Sequence, residues 1–223
     1  MSRSQSAAWS GTGRDPMNVA MAHGFLNTGR QFGPLCRKLE ARGHTCLAPT
    51  LHPRDGRTGI PDLAEKFASL IDREVPEGAP LALVGFSMGA LVARYYLQLL
   101  GGARPVKAFF SIAGPYRGSR NAYLYPGLGT RQMRPGSPLL RRLDETSDRL
   151  SAIAVFTYRT PFDLMIVPST ACQIPSAKNV TVWCPLHTLL PRDRRLIDEI
   201  ALEVDKLDPA AAPRPEPDWE PAV

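Results

Sequence analysis

Short unbroken apolar runs alternate along this chain with longer stretches in which apolar residues recur every three or four positions. MNVAMA at 17–22 is a run of the first kind, stopped by His23 and Gly24, the pattern of a buried parallel strand feeding a loop. Phe32, Leu35, Cys36 and Leu39 then recur at helical spacing across 31–42, and Gly43 supplies a stop. TCLAP at 45–49 predicts a second strand. A loop rich in Pro, Gly and Arg leads from it to a helix over 61–73, with Leu63, Phe67, Leu70 and Ile71 on one face. Residues 81–84 predict a third strand, and 88–100 a helix rich enough in Ala, Leu and Val to be largely buried. Further strands are expected at 106–113, 151–158 and 180–183, with a closing helix at 191–206 striped by Leu196, Ile197, Ile200 and Val204. Strands alternating with helices are joined by right-handed crossovers into a mainly parallel sheet covered on both faces. The expected class is therefore α/β, a three-layer sandwich whose ligands bind at the carboxyl ends of the strands.

The ends of the chain fall outside this rhythm. Residues 1–15 carry Ser, Gly and Arg without periodicity, and 208–223 are dense in Pro and Ala, so both read as flexible tails around one domain at 16–207. A chain of 223 residues suits a single core. Hydrophobic residues at 43% and charged ones at 22% fit a globular protein rather than a disordered or fibrous one. No run approaches the roughly 18 apolar residues of a membrane helix. The first residues lack the apolar stretch of about 7 to 15 that a secretory signal needs, so the expected location is cytoplasmic. Cys36, Cys46, Cys172 and Cys184 show no C-x-x-C spacing and read as reduced thiols, with neither disulfide nor metal role. Lysine and arginine number 27 against 21 acids, a net charge of +6, much of it arginine between Arg117 and Arg149. That reads as a solvated basic face, which leaves room for peripheral contact with anionic lipid. No zinc-finger spacing or RNA-binding aromatic motif accompanies it, so nucleic acid is not an expected partner.

Chemistry concentrates where the third strand meets its helix. Gly85-Phe86-Ser87-Met88-Gly89 follows 81–84 and opens the helix at Met88. A strand-turn-helix of this composition is a nucleophile elbow: the turn forces Ser87 into a strained conformation, and Gly85 and Gly89 keep neighbouring backbone from colliding with it. The helix N-terminus adds amides that favour a developing oxyanion, the Met88 N–H among them. His23-Gly24-Phe25, just after the first strand, is placed to supply the second donor from the Phe25 N–H, with Gly24 permitting a tight turn and His23 bracing it.

A serine hydroxyl needs a histidine base and an orienting carboxylate. The elbow resembles that of the α/β-hydrolases, in which the chain order is serine, acid, histidine. Of His23, His44, His52 and His187, only His187 follows Ser87, in WCPLH beyond the last strand. Between the two lie Asp144, Glu145, Asp148 and Asp163. Asp163 is chosen because TYRTPFD sets it just past the carboxyl end of a strand, whereas the others sit in RRLDETSDRL, a helix or loop entering that strand.

AHGF, LVGFSMGALVARYY, SIAGPYRGS, MRPGSPLLRRLDE, FDLMIVP and NVTVWCPLHTLL occur in the order shown by small bacterial lipases and esterases, and the chain resembles that family from about Met17 to Lys206. The resemblance implies an α/β-hydrolase fold with a minimal cap. It assigns catalytic roles to Ser87, Asp163 and His187 and oxyanion donation to Phe25 and Met88. It also implies cleavage of carboxylic esters, lipid or small-molecule, through an acyl-enzyme and without metal or organic cofactor. The elbow carries Phe86 where many lipases have His, a variant shared with esterases and thioesterases. A thioesterase or acyltransferase with the same triad is therefore the alternative, and a non-catalytic binding module a more distant one. Tyr123 and Leu124, in the Gly- and Pro-rich segment 119–138, and Leu186 beside the histidine are the expected substrate contacts. The expected assembly is a monomer.

Overall fold

A computed structural model describes residues 16–101 and 106–207. Both expected tails, 1–15 and 208–223, lie outside the described residues. Six strands, β1 (Asn18–Ala22), β2 (Thr45–Leu47), β3 (Leu81–Phe86), β4 (Val106–Ile112), β5 (Ala154–Arg159) and β6 (Lys178–Thr181), form one sheet in the order β2-β1-β3-β4-β5-β6. Every neighbouring pair is parallel.

The unbroken apolar runs follow from burial of this sheet on both sides. Alternate side chains of a strand point to opposite faces. On one face Val19, Met21, Ala82, Val84 and Phe110 meet α1 (Gly33–Glu40) and α6 (Arg194–Asp205); on the other Ala20, Ala22, Leu81, Leu83 and Phe109 meet α2 (Ile60–Glu74) and α3 (Met88–Tyr95). All six residues of β3 are buried, so a polar substitution anywhere along it meets a core. Two further helices, α4 (Leu128–Gln132) and α5 (Pro138–Glu145), lie in the connection from β4 to β5. The α5 start is built from its sequence: Ser137 accepts a hydrogen bond from the Leu140 N–H, and Pro138 fills a position whose N–H has no helical partner.

Several boundaries differ from the periodic reading. Among them, β5 starts at Ala154 rather than 151 because a 3₁₀ segment, Ser147–Ala152, precedes it. Three others have a local reason. The helix from Met88 is α-helical only to Tyr95 and continues as a π-helical turn over Tyr96–Leu100. There Gln98 Nε2 reaches the Leu143 carbonyl and the Thr146 hydroxyl, and the fully buried Arg94 guanidinium also bonds the Leu143 carbonyl. The last strand is Lys178–Thr181 rather than 180–183, because its polar residues Lys178 and Asn179 pair with Phe156 and Thr157 at the sheet edge. The closing helix starts at Arg194, where Asp193 accepts from the Arg195 and Leu196 N–H groups; a 3₁₀ segment, His187–Arg192, fills the space before it.

The chain leaves β1 toward β2 on one side and returns to β3 on the other, so the strand order reverses between β1 and β3. A crevice opens outside the carboxyl ends of a parallel sheet at such a point. The loop after β1 and the elbow after β3 flank it.

Candidate active site

Ser87 stands between β3 and α3 with φ 53° and ψ −119°, a region that non-glycine residues rarely occupy. The strain is held by its surroundings. The Ser87 N–H donates to the Ile112 carbonyl at 2.8 Å, and the Ala90 N–H closes the first turn on the Ser87 carbonyl at 3.0 Å. Side chains at the flanking glycines would break the elbow apart: a Cβ on Gly85 would lie 2.5 Å from the Ala90 Cα, and one on Gly89 2.0 Å from the Ala22 carbonyl oxygen. Gly24 lies against the same turn, since a Cβ there would approach the Phe86 ring at 3.0 Å and the Ser87 Cβ at 3.2 Å. The His23-Gly24-Phe25 loop and the elbow are therefore in contact. Among the described residues, no backbone acceptor outside the helices and strands takes the N–H of Phe25 or of Met88.

His187 and Asp163 meet although 24 residues separate them: His187 Nδ1 lies 2.7 Å from Asp163 Oδ2. The other carboxylate oxygen accepts the N–H groups of Met165 and Ile166 at 2.9 and 2.8 Å, which fixes the side chain in a fully buried position. A carboxylate only accepts, so Nδ1 is the donor of this hydrogen bond. The Thr160 hydroxyl donates to the Cys184 carbonyl, joining the Asp163 loop to the His187 loop. The imidazole packs on Phe86, the residue before Ser87, with ring centroids 4.8 Å apart. Asp144, Glu145 and Asp148 lie elsewhere, on or just after α5; Asp144 pairs with Arg94 at 3.1 Å.

His23 has no hydrogen bond to these residues. Its Nδ1 donates to the Gly24 carbonyl at 2.9 Å, and its Nε2 accepts the Leu51 N–H at 2.8 Å, which ties the β1 loop to the loop after β2. Burial holds its pKa below the ordinary histidine value. The folded protein therefore takes up this proton less readily than the unfolded chain. The stability from a neutral His23 is full above the unfolded value of about 6.5 and is lost as pH falls from there through the lower folded value. Urea midpoints are expected to drop between pH 7 and pH 5, and His23→Gln is expected to shrink that drop.

A pocket partly open to solvent adjoins Ser87. Phe25, Pro115, Ala122, Tyr125, Met133 and Ile166 supply most of its apolar wall. The expected contacts Tyr123, Leu124 and Leu186 are not part of the lining: they are 59%, 74% and 49% exposed, and the Tyr123 ring faces outward beneath the Arg134 guanidinium at 4.7 Å. One turn of 3₁₀ helix over Arg120–Tyr123 separates inward Ala122 from outward Tyr123, a distinction that the aperiodic segment does not signal. Ser119 was likewise missed. It lines the pocket, its hydroxyl donates to the Met165 carbonyl at 2.7 Å and accepts the Val167 N–H at 3.2 Å, and it so fastens the pocket wall to the Asp163 loop.

Among the described residues no group of three or more His, Cys, Asp or Glu side chains is clustered to hold a metal ion. Cys36, Cys46, Cys172 and Cys184 are free thiols. No helix among the described residues is long and apolar enough to cross a membrane.

The arrangement has counterparts among solved structures. The lin2722 gene product of Listeria innocua superposes with a TM-score of 0.66 at 13% identity, over 87% of this chain and 96% of its own. The lipase BlEst2 of Bacillus licheniformis gives 0.66 at 15% identity, over 86% and 93%. A pyrethroid hydrolase of Sphingobium faniae gives 0.58 at 18% identity, over 86% and 98%. At these identities the likeness is one of fold. No curated protein matches in sequence. The family model described as "Thioesterase domain" matches residues 18–161, from the first strand through the elbow to two residues short of Asp163. That match spans more than half of the chain, which with its all-parallel sheet belongs to the thioesterase-domain family of the α/β-hydrolase superfamily.

Proposed function

We propose that the protein is a serine hydrolase that cleaves carboxylic esters carrying an apolar acyl group. The observation that carries this reading is the His187–Asp163 hydrogen bond of 2.7 Å at the sheet edge where Ser87 sits at positive φ. Ser87 Oγ attacks the ester carbonyl and passes its proton to His187 Nε2, while Asp163 keeps the imidazole in the right tautomer and stabilises the imidazolium. The Phe25 and Met88 N–H groups receive the oxyanion. The leaving alcohol takes the proton from His187 as its C–O bond breaks; water then attacks the acyl-enzyme through the same base, releasing the acid and restoring Ser87. No cofactor enters these steps.

The apolar wall beside Ser87 suits the acyl chain, because a pocket rewards burial of methylenes and offers few partners for a polar group. Ala122, buried in that wall, is the place to test it. Ala122→Phe is expected to lower kcat/KM for octanoyl esters about tenfold or more while leaving acetyl esters within a factor of two, the scale of discrimination that a filled apolar pocket allows. Equal losses on both would count against the pocket as the acyl site.

Family membership favours a second reading, hydrolysis of thioesters by the same residues. Matched oxygen and thiol esters of one acyl chain separate the two: the ester reading expects the higher kcat/KM on the oxygen ester, and the reverse order supports the thioesterase.

A further inference from the structure

The exposed apolar side chains are not scattered. Among the described residues, eleven of the twelve large ones lie in the loops and short helical turns that follow the carboxyl ends of strands, and only Leu202 lies elsewhere. Leu26 comes from the loop after β1, Leu124 from that after β4, Leu164 from that after β5, and Trp183 and Leu186 from that after β6. Because all strands are parallel, these loops share one edge of the sheet, the edge that holds Ser87. They also touch one another. Phe25 meets Tyr125 at 5.1 Å between ring centroids, Phe162 meets Trp183 at 5.8 Å, and Asn121 Nδ2 donates to the Leu164 carbonyl. Exposed apolar side chains on adjoining loops thus form a rim on the edge that carries the pocket mouth. Leu124 and Leu164 are each 74% exposed and Trp183 63%, so the rim protrudes rather than folding inward.

Charge is sorted the same way. The loop segments 23–32, 48–59, 113–137, 160–177 and 182–193 hold eight arginines, no lysine and three aspartates. Each aspartate is already engaged: Asp163 with His187, Asp55 with Arg57 at 2.8 Å, and Asp193 capping α6. Arg117, Arg120 and Arg131 are exposed beside the rim, in a segment without any acid. Acidic residues such as Glu40, Asp72, Glu74, Glu77 and Asp205 sit at the opposite end, where helices finish and strands begin.

We propose that this edge docks on an anionic lipid bilayer, with the apolar rim entering the headgroup region and the arginines meeting lipid phosphates, so that the pocket mouth opens onto the membrane surface. Single apolar side chains and amphipathic Trp and Tyr rings carried by separate loops suit a lipid interface, which conforms to them. The arginine excess selects anionic lipid, and it disfavours a second copy of the chain, whose rim carries the same charge. The consequence for the proposed hydrolase is a substrate taken from the bilayer, and the docking itself does not depend on hydrolysis.

The test uses the full chain as Ser87→Ala, floated with vesicles of phosphatidylcholine alone or mixed with phosphatidylglycerol. The protein is expected to float with the mixed vesicles and to be released by salt. Replacing Leu164 and Trp183 with Asp is expected to weaken partitioning about tenfold or more. Arg117→Gln and Arg131→Gln, which leave the apolar rim intact, are expected to weaken it about fivefold each. In the active protein none of these four changes alters hydrolysis of a short water-soluble ester. A chain that stays in the aqueous fraction with both vesicle compositions overturns the proposal, as do variants that bind as tightly as the parent. Self-association abolished by the Leu164 and Trp183 changes, without vesicle binding, overturns it in favour of a second copy. If wild-type Ser87 hydrolyses nothing yet the chain floats, docking stands and the hydrolase reading fails.

Discussion

Ser87→Ala is expected to lower kcat for ester hydrolysis by about 10⁵- to 10⁶-fold with little change in thermal unfolding. The size follows from the role: without Oγ no acyl-enzyme forms, and what is left is the help that a pocket and two amide donors give to direct attack by water, on the order of 10³-fold over solution. The fold is spared because Ala meets the same strained φ of 53° that serine already tolerates, and because the elbow is held by backbone groups, the Ser87 N–H on the Ile112 carbonyl and the Ala90 N–H on the Ser87 carbonyl. Esterase assays and a melting curve on one preparation check both halves. A loss of only a few-fold would remove Ser87 from the chemistry.

Asp163→Asn is expected to cost about 10⁴-fold in kcat, again with the loop intact. The carboxylate does two separable things. One oxygen accepts the Met165 and Ile166 N–H groups and shapes the loop; the other accepts the proton of His187 Nδ1. An amide oxygen can keep the first pair of hydrogen bonds. Its NH₂ group then faces His187 Nδ1, and a donor there forces the proton onto Nε2, where it blocks uptake from Ser87. The variant is therefore predicted to melt near the parent temperature yet turn over slowly, and Asp144→Asn, on α5 away from His187, to leave kcat within a factor of two. Equal losses in the two variants would contradict the assignment.

The residues proposed for the site were legible because chain order singles them out, and the structure brings His187 and Asp163 within 2.7 Å. Gly85 and Gly89 mark an elbow whose purpose is steric, and the structure shows what they avoid: the Ala90 backbone and the Ala22 carbonyl oxygen. His187 was singled out by being the last histidine, and Asp163 by lying past a strand end. Burial on both faces made the strands readable as unbroken apolar runs, except for β6, whose edge position allows Lys178 and Asn179 and hides it from that pattern. The pocket wall was not legible. Between Ser119 and Pro138 the chain turns through short 3₁₀ and α segments, in which adjacent residues face opposite ways without a period. Ala122 and Tyr125 therefore line the pocket while Tyr123 and Leu124 stand outside it. Nor does the sequence reveal which apolar residues of these four loops stay exposed; the expected parallel order places the loops at one edge, and the structure adds that Leu26, Leu124, Leu164 and Leu186 protrude there.

The central claim is that Ser87 is the nucleophile, and covalent labelling tests it most directly. Incubated with a fluorophosphonate at neutral pH, the wild-type chain is predicted to gain one phosphonyl group, located by peptide mass spectrometry on Ser87, and Ser87→Ala to gain none. A wild type that stays unlabelled, or a Ser87→Ala chain labelled to the same extent, would contradict it.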